Sequence, residues 1–180
     1  MSTIAAPMTA DEFLKLLDTE EQRVELIDGE VVDMPSGGPN HEQVKANLNR
    51  ILDRWLDRHG AGLVYVESAY RLDERIVQVP DLSVLGSERI KLSIDERFRG
   101  APDLAVEVVS SETAERLQAK IRLYFKHGSK GVWSVFPVSR IVHVNHPNGH
   151  IDTLEQDQIL EDPGALPGFN TPVRAIFEGL

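Results

Sequence analysis

The chain has 180 residues, 41% hydrophobic and 27% charged, with a formal net charge of −10 and no cysteine. Its length suits one compact domain, 1–180, able to bury roughly two-thirds of the surface the unfolded chain exposes. The composition excludes a disordered or collagen-like chain, the lack of cysteine excludes disulfides and thiolate-held metal, and the acidic total leaves nucleic-acid contact to a local basic patch.

Residues 1–8 have neither a basic n-region nor a long apolar h-region and are expected to be flexible. No run approaches the roughly 18 to 20 apolar residues of a membrane span, so a cytoplasmic protein is expected. Thr9-Ala10-Asp11-Glu12 is a capping box, and the apolar spacing behind it predicts a short helix. Residues 24–34 read as two strands around Asp28-Gly29, a dipeptide suited to a tight hairpin turn. Residues 35–39 read as a loop, and Asn40 is placed to cap a helix that starts at His41 and stops at Gly60.

Strands are predicted over 63–72 and 76–85, separated by the charged turn Asp73-Glu74-Arg75. Residues 86–100 are charged and weakly patterned, which predicts a mobile loop or short helix. The apolar strand around Glu107 follows, then a helix over 114–127 ended by Gly128, and strands over 132–136 and 140–145. The tail, rich in proline and glycine, is expected to wrap the body with little regular structure until a last strand over 173–177. Together these elements predict an α/β (α+β) fold with an N-terminal helix and hairpin.

Glu107 lies within Leu104-Ala105-Val106-Glu107-Val108-Val109, a run apolar enough to be buried on both faces. An unpaired carboxylate there costs several kcal/mol or is forced neutral, so it needs compensation. Asp103 shares its strand face but lies roughly 13 Å away, too far to share an ion. Asp81, on a predicted neighbouring strand, can lie beside it, and two carboxylates with waters suit Mg²⁺ or Mn²⁺.

Lys120 flanks the apolar stripe of the helix over 114–127, one turn from Tyr124, and can reach that site to position water and offset charge on a phosphoryl group. Tyr124 can support it. His41, at a helix start, is a candidate ligand or phosphate contact. Glu25, an acid inside the apolar strand Val24-Glu25-Leu26-Ile27, is a candidate third acid.

Other readings stay open for each. Glu107 can pair with an arginine such as Arg71 or Arg122. Asp81 can be a turn residue after Pro80, Lys120 a snorkelling flank residue, His41 a solvated first-turn histidine, and Glu25 a strand-edge ion pair. His143, His146 and His150 match no helical zinc spacing, and Ser110-Ser111 lacks the glycine-flanked elbow of a serine hydrolase. Arg116, Lys120, Arg122, Lys126 and Lys130, with Lys91, Arg97 and Arg99, can track a phosphate backbone or form a solvated mixed-charge surface.

Taken in order, Val24-Glu25-Leu26-Ile27-Asp28-Gly29-Glu30, His41, Val79-Pro80-Asp81-Leu82, Pro102-Asp103-Leu104-Ala105-Val106-Glu107-Val108-Val109-Ser110, Lys120 with Tyr124, and Leu166-Pro167-Gly168-Phe169 resemble the Uma-type restriction endonuclease family. That family lies within the PD-(D/E)xK nuclease superfamily, and the resemblance spans nearly the whole chain. It implies a restriction-endonuclease-like mixed sheet flanked by helices, and Mg²⁺-dependent attack of water on a DNA phosphodiester. Asp81 and Glu107 map to the acidic pair. Val109 stands where the superfamily usually has its lysine, and Lys120 on the next helix takes that part.

Three further places depart from the family's usual pattern: Glu115-Arg116-Leu117, Gly131 with Val132, and Phe136. A homodimer is implied by analogy with enzymes that cut both strands. The alternatives are a nuclease-fold module with weak or no catalysis that binds nucleic acid or protein, and a metal hydrolase for a small phosphoester.

Overall fold

The computed structural model describes residues 7–17, 23–34, 37–91 and 98–180. The flexibility expected of residues 1–8, the loop at Pro35-Ser36, and residues 92–97 of the segment expected to be mobile, Arg97 among them, fall wholly or largely outside them.

At the N-terminus α1 (Ala10–Leu17) starts at the predicted capping box. The Thr9 and Glu12 side chains exchange bonds with each other's backbone N–H, at 3.3 and 2.8 Å, which satisfies donors a helix start leaves orphaned. The hairpin of β1 (Val24–Ile27) and β2 (Glu30–Asp33) turns through Asp28 and Gly29 at φ 51° and 85°. Both central residues are left-handed, as the twist-matched two-residue turn requires. The helix α2 (Pro39–His59) is capped by Gly38 with Pro39 in the first turn, so Asn40 is inside the helix instead of capping it. Proline has no N–H to lose there, which lets the helix begin earlier.

The predicted strand over 63–72 is two strands, β3 (Gly62–Val66) and β4 (Tyr70–Asp73), in different sheets. The one over 76–85 likewise divides into β5 (Ile76–Gln78) and β6 (Leu82–Gly86) around Pro80. Proline cannot donate to a ladder, so the chain leaves one sheet and enters the other at that point. This break sets Asp81 at the start of β6.

After α3 (Ser87–Lys91) come β7 (Leu104–Val108), α4 (Ala114–Lys126), β8 (Gly131–Phe136) and β9 (Ile141–Asn145). The tail is more regular than expected, with β10 (Ile151–Leu154), β11 (Ile159–Asp162) and β12 (Leu166–Pro172), and the predicted last strand is instead the helical turn α5 (Val173–Ile176). Val173, Ile176 and Phe177 are all buried, the i, i+3, i+4 spacing of one helix face.

The main sheet has the order β10-β9-β8-β7-β6-β3, with β7 and β8 parallel and joined by α4, and its other pairs antiparallel. A smaller sheet, β2-β1-β5-β4, carries α1 on one face, and β11-β12 forms a ribbon. The expected mixed sheet with helices on both sides is therefore present. Strand alternation sends Leu104, Val106 and Val108 to the α2 side of the main sheet and Ala105 to the α4 side. By the same period of two, Glu107 faces α4. Among the described residues no helix is long and apolar enough to cross a membrane.

Candidate functional site

Glu107 is 4% exposed on the central strand β7, and α4 supplies its compensation. Lys120 Nζ donates to Glu107 Oε2 at 2.9 Å, and the Tyr124 hydroxyl donates to Oε1 at 2.7 Å. Both donors come from the same helix face, one turn apart. The arginine alternatives fail: Arg71 pairs with Asp11, and Arg122 lines a separate groove with Phe125 and His146.

Asp81 arrives through strand register. Leu82 pairs with Val106, so one further antiparallel step sets Asp81 across from Glu107. Its Oδ2 accepts the Val108 N–H at 2.7 Å, and His41 Nε2 lies 3.2 Å from Oδ1. His41 is thus buried against Asp81 and is not a solvated first-turn residue.

Glu25 is fully buried on an inner strand, since β1 is paired on both sides, and the strand-edge reading fails. Period two sends Val24 and Leu26 into the α1 core and Glu25 to the opposite face. There it lies 3.1 Å from Lys120 Nζ and 3.4 Å from Arg116, and it accepts the Val79 N–H. Lys120 therefore bridges two buried carboxylates.

Asp81, Glu107, Lys120 and His41 line one cavity of about 30 Å³, together with Arg23, Met34, Val108, Ser110 and Glu112. Arg23, Glu112 and the inward-facing Arg116 were not legible as site residues. Glu112 reads as a loop acid before a helix and Arg23 as a surface base, and only the fold brings them to the cavity. Asp103 is elsewhere, as its strand distance predicted, bound to the Gly86 N–H at 2.9 Å and to Lys130 at 3.0 Å.

Burial dominates the ionisation of this cluster. It pushes the Glu107 carboxyl up to about 8, against the pull of Lys120 and with the help of Asp81 and Glu25. Burial alone would lower Lys120, but Glu107, Glu25 and Glu112 outweigh it, and the ammonium is raised above its usual range. Tyr124 is raised by burial and then by Glu107, so it stays a donor. The hydrogen bond to Asp81 raises His41 against the opposing effect of burial. Burial opposes the shift at Asp81, yet the His41 bond and the Val108 N–H hold it below its usual value.

Four acids, Glu25, Asp81, Glu107 and Glu112, gather around Lys120, with Arg116 on Glu25 and Glu112 and His41 on Asp81, and a cluster of carboxylates like this is chemistry that suits a divalent cation. Each oxygen of Asp81 and Glu107 accepts one bond and keeps a second lone pair. Among the described residues no group of three or more histidines and acids is arranged to hold a metal. An ion at this cavity would have two carboxylates and complete its shell with water, the habit of Mg²⁺.

The other candidate regions separate. His146 and His150 both bond Asp152, at 2.8 and 2.9 Å, while His143 packs against Phe136. The expected basic stripe is not one surface, because Arg116 and Lys120 turn inward and leave Arg122 and Lys126 exposed on α4. The departure at Gly131 lies outside the site, since Gly131 pairs with Leu104 while Glu107 pairs with Ser134.

A search of curated proteins finds no match. Among solved structures, the chain is similar to a protein from Anabaena variabilis described as "a putative nuclease belonging to DUF820". The two are 24% identical, with a TM-score of 0.83 over 95% of this chain and 98% of that one. That likeness establishes the fold. A family profile described as "Uma2: Putative restriction endonuclease" matches residues 10–174, nearly the full length. The chain belongs to the Uma2 family.

Proposed function

We propose that the chain is a one-domain, Mg²⁺-dependent endonuclease that hydrolyses DNA phosphodiester bonds. The observation that carries this reading is the convergence of Asp81, Glu107 and Lys120 on one cavity from the residue just before β6, from β7 and from α4.

Asp81 and Glu107 would hold Mg²⁺, or Mn²⁺ in its place, and the ion would supply Lewis-acid polarisation of a phosphoryl oxygen and an acidified water. Lys120 keeps its proton, so it acts as a donor and not as a base. Its ammonium orients the attacking water and offsets charge that develops on the phosphoryl oxygens. Glu25 fixes Lys120 from behind, Tyr124 fixes Glu107, and His41 fixes Asp81.

A cavity of about 30 Å³ admits an ion with a water but no nucleotide, whereas small-molecule pockets run from about 300 Å³ upward. This size favours a backbone phosphodiester presented at the mouth over an engulfed small phosphoester. Cutting both strands of a duplex calls for two such sites, which a homodimer provides.

The test is cleavage of supercoiled plasmid and single-stranded DNA with Mg²⁺ or Mn²⁺. The proposal expects cleavage that Asp81→Ala, Glu107→Ala and Lys120→Ala each reduce by about 10²-fold or more. Wild-type protein that leaves both substrates intact while still binding them would instead identify a non-catalytic module.

A further inference from the structure

We propose that Arg23 grips a DNA phosphate at the mouth of the Asp81–Glu107–Lys120 cavity, and that Glu67 holds its guanidinium in place until the phosphate displaces it. This assignment rests on the phosphodiester substrate proposed above.

Arg23 stands immediately before β1, where its carbonyl accepts the Met34 N–H at 2.8 Å and so continues the hairpin. Its side chain lines the cavity together with Asp81 and Glu107 and is 37% exposed, so it borders both the cavity and solvent. The other cations on that cavity are committed: Lys120 lies within 3.1 Å of two carboxylates and His41 within 3.2 Å of two.

Arg23 is committed to one. Its Nη2 lies 2.9 Å from Glu67 Oε1 but 3.9 Å from Asp81, and its Nη1 is 4.0 Å from Glu42. Its Nε is buried and has no hydrogen-bond partner among the described residues. The buried Nε is closed to an incoming ligand, so a new contact falls to the Nη groups, whose carboxylate partners lie at 2.9 to 4.0 Å.

The chemistry of that contact follows from the donors. The two Nη groups of a guanidinium present a fork of N–H donors that matches two oxygens of one phosphate. An acidic cavity repels a polyanion, so a substrate phosphate needs a cation at the point of entry. Glu67 also has the lesser hold on Arg23, because it pairs with Lys45 at 2.7 Å as well. It can release the arginine without being left unpaired.

The experiment measures binding of a short fluorescent duplex in Ca²⁺ across a salt series, with cleavage in Mg²⁺ followed in parallel. Arg23→Ala is expected to weaken binding about 10-fold and to reduce the slope of log K against log salt by about 1, the signature of one lost phosphate contact. Arg23→Lys keeps the slope but loses the fork, and its cleavage falls about 10-fold. Glu67→Gln removes the competitor, so binding tightens about 3-fold or more.

Lost repulsion alone would tighten binding equally with or without Arg23, so Glu67→Gln binding that is unchanged or weaker, or that tightens as much in the Arg23→Ala background, overturns the assignment. An unchanged salt slope in a folded Arg23→Ala overturns it as well. Should Arg23→Ala fail to fold, the Arg23→Lys and Glu67→Gln results decide. Duplex binding with the expected slope change but no cleavage supports Arg23 and removes the nuclease reading. Cleavage with an unchanged slope does the reverse, and a wild type that binds no duplex removes both.

Discussion

Lys120 Nζ lies 2.9 Å from Glu107 Oε2, thirteen residues away in sequence and on a different element. Val109 occupies the place two residues after Glu107 where the superfamily usually has its lysine. Being two along the strand, Val109 faces α4 as Glu107 does. In this chain an amine reaches the Glu107 carboxylate from α4.

Removing that amine leaves Glu107 and Glu25 buried without their shared cation. Lys120→Met is expected to destabilise the protein by about 3–5 kcal/mol. Urea unfolding checks this, and a change below about 1 kcal/mol would mean that the carboxylates are neutralised without Lys120.

The His41–Asp81 pair predicts a pH window. His41 is raised above 6.5, so its contribution is full below that value and is lost as pH rises through its folded value. Asp81 is lowered below 3.8, so its contribution is full above that value and is lost as pH falls. The stability difference between wild type and His41→Gln is therefore largest between 3.8 and 6.5 and shrinks on either side. Denaturant melts across pH measure it, and a difference that grows above neutrality contradicts the pairing.

Glu107 predicts how metal binding responds to pH. With its carboxyl pushed up to about 8, a cation arriving at lower pH displaces a proton. Mg²⁺ affinity should rise by up to about 10-fold per pH unit and level off near 8. Calorimetry near pH 6.5 in two buffers of different ionisation enthalpy should register about one proton released. Binding without pH dependence would remove Glu107 from the ligand set.

Much of the site could be read from the sequence because burial made its residues anomalous. An acid in the run Leu104 to Val109 demands a partner, and helical spacing allowed only certain residues of the following helix to supply one. Two breaks were not legible. Residues 76–85 alternate well enough to read as one strand, and only the sheet exchange at Pro80 frees Asp81 to meet both Val108 and His41. In the tail, Pro167, Gly168 and Pro172 suggested irregular chain, yet a two-stranded ribbon tolerates them because its edges need no further partners. Arg23 and Glu112 gave no signal, since a lone surface charge carries no pattern.

Packing constrains Gly131. A Cβ there would lie 2.4 Å from Asp162 Oδ2 and 2.8 Å from Ala165 Cβ. Asp162 cannot easily yield, because it accepts the Trp133 indole N–H at 2.9 Å and the Ala165 N–H at 3.1 Å in a fully buried site. Gly131→Glu should therefore cost about 3 kcal/mol or more while leaving Mg²⁺ affinity unchanged in the folded fraction. Thermal melts and calorimetry separate the two effects. A Gly131→Glu protein as stable as wild type contradicts the packing account.

Anomalous diffraction from crystals soaked in Mn²⁺ tests the central claim most directly. The account predicts a manganese peak in the cavity, bonded to oxygens of both Asp81 and Glu107, with the Lys120 ammonium beside it. A cavity without a peak, and with Glu107 still bonded only to Lys120 and Tyr124 at saturating Mn²⁺, would contradict it.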